Sequence, residues 1–363
     1  MNTSAPADLG LSIGQRGAAL VITLERPQAR NALSIAMRDA IASALVRYGN
    51  DPLVYAVVIK SATPGLFCAG GDVREITTLA RSDLAAARAG LASEMALCWS
   101  HECFSKPTVS FIDGPVMGTG VGISLYGTHR VAGERYRFAM PETVIGYFPD
   151  CGVLHAFARM PHGIGRYLAL TGRAIGAADA LALGLVTHCI GWDAYEAIES
   201  HLAEADPIDP LLDERHRDPG PSPLLAEAAR IERYFAQARD PMDIVRRLEG
   251  AAPADASWAA TVVAELRARS PMALALTDMG LSRARNLDLR ETLIQDFRLA
   301  HALVASHDCQ EGVHLRLVVK SGEPQWQPAR LEDIDPAAVR RHFEPLGAED
   351  LVLPTRAELQ RAR

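Results

Sequence analysis

Twice in its N-terminal half the chain passes from an apolar, β-branched run through a cluster of glycines into a helix-like pattern. This repeated turn constrains the fold more than any other feature. The first run, Val54-Tyr55-Ala56-Val57-Val58-Ile59, reads as a buried strand. It leads through 61–67 into Cys68-Ala69-Gly70-Gly71-Asp72, and Val73-Arg74-Glu75-Ile76 then reads as a helix start. The second, Thr108–Ile112, leads through Asp113-Gly114-Pro115 into Met117-Gly118-Thr119-Gly120-Val121-Gly122, with a short apolar helix expected from Ile123. Turns of this type leave backbone N–H groups free at the positive end of a helix. One alone is often only steric. Two in one domain can aim two N–H donors at a single oxygen, which is what stabilising a tetrahedral or enolate oxyanion requires. A dinucleotide fingerprint is a poor fit, because the glycines at 118, 120 and 122 alternate and lie far from a first βαβ unit. No Gly-Lys-Ser/Thr follows either cluster, which sets aside a Walker loop.

Downstream lies Phe138-Ala139-Met140-Pro141-Glu142-Thr143-Val144-Ile145-Gly146-Tyr147-Phe148-Pro149-Asp150. Glu142 and Asp150 sit among residues that favour a dry pocket. A carboxylate buried there is either paired or used. Pro141 and Pro149 fix the backbone just before each acid, and Gly146 permits a bend between them. Two surface-loop acids after prolines is the plainer reading, and the upstream glycine turns weigh against it.

These residues resemble the crotonase (enoyl-CoA hydratase/isomerase) superfamily. Leu24-Glu25-Arg26-Pro27-Gln28-Ala29-Arg30-Asn31-Ala32-Leu33 is similar to its coenzyme A-contacting segment, and the two glycine clusters to its oxyanion-hole loops. The resemblance implies an α/β fold, a spiral of ββα units with a helical C-terminal region. It places the oxyanion donors on the backbone N–H groups of Gly71 and Thr119, where threonine stands for a more usual glycine. It puts Arg26, Ala29, Ala69 and Asp72 against coenzyme A, and Glu94 near the substrate. Within the superfamily, the 138–150 stretch is most similar to the 3-hydroxyisobutyryl-CoA hydrolase subgroup. So are Gly127-x-x-Arg130-Val131-Ala132, Glu311-Gly312-Val313, Trp326-x-Pro328 and Leu331-Glu332-Asp333-Ile334. The resemblance spans roughly residues 15–345 and is weakest over 206–253.

An absence narrows the chemistry. Hydratases of the superfamily carry a second glutamate at the position of Gly122, since adding water across C=C needs an acid and a base at one water. Glycine there disfavours hydration, whereas isomerisation, which needs only the Glu142-type acid, stays open. Asp150 in Phe-Pro-Asp tilts the choice to thioester hydrolysis. Glu142 would attack the thioester carbonyl or activate water, and Asp150 would hold a β-hydroxyl or handle the proton. Enoyl-CoA isomerase or hydratase, and a non-catalytic acyl-CoA-binding protein, are the alternatives. Two departures bear on specificity. Cys151-Gly152-Val153 replaces the subgroup's Val-Gly-Gly beside the acyl pocket, and Arg30 adds a charge to the coenzyme A segment.

With 363 residues and 48% hydrophobic content the chain can bury a large core. A net charge of −7 argues against a nucleic-acid partner. No apolar run approaches the ~20 residues of a membrane span, and residues 1–10 carry no signal pattern. The expected partner is the acyl-CoA substrate, with no nucleic acid or membrane; a homo-oligomer is left open. The expected location is cytoplasmic, or the mitochondrial matrix after loss of a transit peptide. Coenzyme A would enter as part of the substrate, without a further cofactor. The six cysteines show no Cys-x-x-Cys spacing and read as free buried thiols, and no metal site is evident. Cys151 with His155 is the one arrangement that could make a thiol nucleophile. Three regions are expected: a core over 10–205, a boundary or flexible segment over 206–225, and helices over 226–363. The apolar spacing predicts a helix over 35–48 capped by Ser34, and a short strand over 186–190.

Overall fold

The computed structural model describes residues 9–362. Strands β1 (Leu11–Arg16) and β2 (Ala19–Leu24) form a hairpin, and α1 (Ile35–Gly49) carries the chain to β3 (Ala56–Ser61). Helices α2 (Val73–Ser82) and α3 (Leu84–Glu102) precede β4 (Thr108–Ile112), β5 (Pro115–Val116) and the single turn α4 (Thr119–Gly122). Strands β6 (His129–Ala132), β7 (Arg137–Phe138) and β8 (His188–Cys189) follow. Ser34 caps α1 as its sequence predicts, its hydroxyl accepting from Met37 N–H, and Asp72 does the same for α2 through Glu75 N–H.

The main sheet has the order β1-β2-β3-β4-β6-β8, antiparallel at the hairpin and parallel beyond it. Beside it runs a ladder of very short pairings. Leu33 bridges Gly71, Cys68 bridges Val116, β5 pairs with β7, and Phe138 bridges Ile175. Each turn of the spiral therefore gives one long strand to the sheet and one short stretch to the ladder. Both glycine clusters sit at ladder positions, so the two loops are stacked on each other by backbone hydrogen bonding. Cys68 N–H donates to Pro115 O (2.9 Å) and Met117 N–H to Cys68 O (3.2 Å).

A mostly parallel sheet has to be covered on both faces. One face carries Leu20, Ile22, Leu24, Val57 and Ile59 into the large core, which also takes in Leu293, Phe297 and Leu353. The other carries Val21, Val58, Val109, Phe111 and Val131 and is sealed by Ile198, Leu202, Ile208, Leu211 and Leu212. This explains a difference from the sequence reading of 206–225 as boundary or flexible. Its first part forms the helix Ile208–Asp213, because the sheet needs those apolar side chains as a cover. The 226–363 region likewise shares its core with the rest of the chain.

Two further expectations shift. The helix expected from Ile123 begins instead at Thr119, since Gly120 N–H already closes onto Met117 O (2.8 Å) and Val121 N–H onto Gly118 O (2.8 Å). The strand expected over 186–190 is reduced to His188–Cys189 at the sheet edge.

Candidate active site

The first glycine loop is held by the segment that precedes α1. Leu33 N–H donates to Gly70 O (2.9 Å), Asp72 N–H to Leu33 O (2.9 Å) and Ala69 N–H to Arg30 O (3.0 Å). Arg26 pairs with Asp72 at 2.9 Å and also donates to Ala32 O. Of the four residues expected to meet coenzyme A, Arg26 is thus bound to the loop that holds Ala69 and Asp72, while among the described residues Ala29 bonds only within its own turn, to Arg26 and Ala32. Arg30 lies exposed at their edge, in a left-handed conformation (φ 52°).

The second loop turns on Gly118, whose backbone (φ 45°, ψ −126°) suits glycine. A Cβ built there would lie 3.4 Å from Glu142 Oε1 and 3.9 Å from Gly71 N. Glu142 Oε1 and Gly71 N therefore both lie close to the turn that leads into Thr119. Among the described residues no protein acceptor engages the N–H of Gly71 or of Thr119.

Glu142 opens a short 3₁₀ turn (Glu142–Ile145) between Pro141 and the left-handed Gly146. Its Oε2 is sealed from solvent and has no hydrogen-bond partner. Burial first, and the Asp150 and Glu94 carboxylates next, push its pKa well above the carboxylate range. Asp150, 7% exposed, is pushed up to about 8 by burial and by Glu94, with Arg38 partly opposing. The C-terminal helices brace this acid loop. Gly152 N–H donates to Asp296 Oδ2 (2.7 Å), and Ser270, whose N–H reaches Thr143 O, also donates to Asp308.

Glu94, on α3, is 4% exposed and fully engaged. One oxygen pairs with Arg38 of α1; the other accepts from the Thr119 hydroxyl and faces Cys151 Sγ at 3.7 Å. A carboxylate oxygen from each of Glu94 and Asp150, and Cys151 Sγ, lie within 4.8 Å of one another, a grouping that could hold a metal ion. The buried Arg38 guanidinium already supplies the positive charge beside it.

Arg38 and Tyr147 were missed as polar members of the site. A signal for Arg38 existed: it stands beside Met37, Ile41 and Leu45 on the core-facing stripe of α1, where an arginine requires a buried partner. Tyr147, read from the sequence as a pocket wall, carries a buried hydroxyl without a partner, and its pKa is raised by burial and by Asp150. The Cys151–His155 nucleophile is corrected. Cys151 faces Cys98 and Glu94, and its thiol is pushed well up by the Cys98 hydrogen bond, burial and neighbouring acids. That is the opposite of an activated thiolate.

At Gly122, a Cβ would lie 2.7 Å from Cys98 Sγ and 3.4 Å from Cys151 Sγ. No longer side chain fits without repacking. Gly122→Glu is accordingly expected to cost about 1–3 kcal/mol of stability by overpacking and to install no hydration of crotonyl-CoA. Thermal unfolding and a crotonyl-CoA absorbance assay check this; a stable, hydrating variant would refute the packing argument.

A pair of stacked glycine loops, with Glu142 set against one of them and buried Asp150 nearby, on a spiral of strand-rich repeats, defines a class. The chain belongs to the enoyl-CoA hydratase/isomerase family, whose model matches residues 19–343. Among its relatives, the mitochondrial 3-hydroxyisobutyryl-CoA hydrolase of Gallus gallus is 35% identical over 97% of this chain and 92% of its own length. The 3-hydroxyisobutyryl-CoA hydrolase 1 of Arabidopsis thaliana is 32% identical over 96% and 95%. Of solved structures, a carnitinyl-CoA dehydratase from Mycobacterium thermoresistibile matches with TM-score 0.88 at 34% identity, covering 94% of this chain and 98% of that one. An enoyl-CoA hydratase from Rhodobacter sphaeroides gives TM-score 0.88 at 33% identity over 95% and 100%. The crotonase-type α/β fold expected from the sequence is therefore the observed one.

Proposed function

We infer that this chain is an acyl-CoA thioester hydrolase acting on 3-hydroxyisobutyryl-CoA or a similar short β-hydroxyacyl-CoA. The observation that carries this reading is Glu142, its Oε2 sealed from solvent, set against the Gly118 turn of the second glycine loop with buried Asp150 nearby, and Gly122 too crowded to hold a second glutamate. The hydrolase names of relatives spanning nearly the whole chain support it.

In this reading the thioester carbonyl oxygen sits between Gly71 N–H and Thr119 N–H. Ionised Glu142 attacks the carbonyl carbon, and the C=O electron pair moves onto the oxygen held by the two donors. Collapse re-forms C=O and breaks C–S; coenzyme A leaves with a proton and a mixed anhydride remains, which water hydrolyses. In the other version Glu142 takes a proton from water, and hydroxide attacks the same carbon. Both end in free acid plus coenzyme A. Asp150, with a pKa near 8, holds a proton at neutral pH and can deliver it or bind the β-hydroxyl.

A second reading, hydration or dehydration, is favoured by the names of the two solved structures. Following free thiol with a panel of short acyl-CoA esters separates the two. Release of coenzyme A from 3-hydroxyisobutyryl-CoA or 3-hydroxypropionyl-CoA, with little hydration of crotonyl-CoA, is expected. Fast hydration without thiol release would overturn the assignment. The mitochondrial relatives support a matrix location where the chain is eukaryotic. No helix among the described residues is long and apolar enough to cross a membrane.

A further inference from the structure

The second glycine loop carries a side chain where a backbone donor would be enough. Glycine at 119 would present the same N–H; threonine adds a hydroxyl, 3% exposed as a residue, that donates to Glu94 Oε1. The hydroxyl also lies against the other loop, 2.7 Å from where a Cβ of Gly71 would stand. Glu94 Oε2 in turn pairs with Arg38, which is 4% exposed, and the Arg38 Nε has no hydrogen-bond partner. Three polar side chains from α1, α3 and the loop are thus buried in one line that ends at a residue whose N–H faces the reaction centre.

Stability alone does not account for this line. A buried ion pair gives little net stabilisation once desolvation is counted, so it is weak evidence for a purely structural role. What it supplies is direction. Among the described residues no side chain caps α4, a single turn that follows a glycine, and the Thr119 carbonyl is held only by Ile123 N–H within that turn. A hydrogen bond to a charged carboxylate is shorter and stronger than one between neutral groups, and a guanidinium on the far oxygen stops that carboxylate from swinging. Burial works against the Arg38 charge, yet Glu94, with smaller contributions from Cys151 and Glu75, leaves the guanidinium's pKa raised.

We propose that Arg38, Glu94 and the Thr119 hydroxyl form a positioning relay that sets the direction of the Thr119 N–H, and so the polarisation of the bound carbonyl. The relay rests on the reading of Thr119 N–H as an oxyanion donor. Arg38 is in this account a positioning residue that acts on the carbonyl through Glu94 and Thr119.

The test uses a bound probe that cannot be hydrolysed: an isobutyryl-CoA analogue with a ¹³C-labelled carbonyl and CH₂ in place of the thioester sulfur. Infrared difference spectra read how far the protein lowers the carbonyl stretch relative to water. Thr119→Val should return much of that shift with binding changed little, and Thr119→Ser should restore it. Arg38→Met should act in the same direction as Thr119→Val, and Arg38→Lys should recover part of the loss. In turnover, Thr119→Val should lower kcat about 10–100-fold, less than removal of a whole oxyanion donor, with KM little changed.

An unmoved carbonyl band in Thr119→Val would overturn the relay. A band that moves in Thr119→Val but not in folded Arg38→Met would remove the arginine from it. If Arg38→Met does not fold, the Val and Ser pair still decides whether the hydroxyl orients the donor. The probe needs only binding, so the result stands apart from whether the protein hydrolyses thioesters.

Discussion

Glu142→Gln is expected to lower thioester hydrolysis by about 10³-fold or more while leaving acyl-CoA binding largely intact. Glutamine keeps the shape of the side chain in its 3₁₀ turn but has no carboxylate to attack the carbonyl or to take a proton from water. The loss should be large because the wild-type group is held dry and unpartnered at Oε2, poised to gain its interaction at the reaction centre. Its raised pKa predicts that kcat/KM climbs with pH as Glu142 loses its proton, above the range of an ordinary carboxylate, and that the climb is opposed where Asp150, pushed up to about 8, loses the proton it delivers. Single turnover in ¹⁸O-labelled water separates the two routes. Label recovered in Glu142 signals the anhydride, and label confined to the product acid signals direct attack by water. A Glu142→Gln enzyme with near-normal turnover would take this residue out of the chemistry.

The second large effect is expected at Asp150, in opposite directions for rate and stability. Asp150→Asn cannot pass a proton, and its amide is a weaker hydrogen-bond partner for a β-hydroxyl than the carboxyl group that it replaces. A loss of about 10²-fold is expected with 3-hydroxyisobutyryl-CoA, and a smaller one with isobutyryl-CoA, which lacks the hydroxyl. Equal losses on both would assign Asp150 to proton transfer alone.

For stability the sign follows from the raised pKa. Asp150 titrates near 3.8 when unfolded and near 8 in the fold. Between those values the native state holds more protons than the unfolded one, so this residue's contribution is full below about pH 4 and declines as pH rises to about 8. Asparagine has no such titration. The variant should therefore melt above the wild type at pH 8–9, and the gap should shrink toward pH 4. A wild-type Tm no lower than the variant's at pH 9 would contradict the burial of an acid held protonated.

Much of the local structure was legible in the sequence. β-Branched runs at 54–59 and 108–112 marked strands, although the first is shifted to Ala56–Ser61 by the register with β2. Ser34 announced the start of α1 because a cap acts within three residues of itself, and the start at Val73 was legible too, with Asp72 found to cap it in the same way. The acids at 142 and 150 stood out because proline and aromatic neighbours make a carboxylate costly wherever that segment folds. The helix Ile208–Asp213 was hidden in a stretch rich in proline and aspartate, since its reason for existing is the sheet face that it covers.

What the sequence determined by itself was the set of turns, caps and strands, along with the unusual acids, because each depends on interactions a few residues long. Tertiary structure alone decided which groups meet. The Leu33–Gly71 and Cys68–Val116 bridges stack the two loops, and α1 and α3 bring Arg38 to Glu94. Cys98 and Cys151 close the space above Gly122, and burial beside Glu94 carries Asp150 to about 8. Each of these is a contact or a desolvation between residues tens of positions apart, and its energy depends on distance and solvent exclusion that no local pattern encodes.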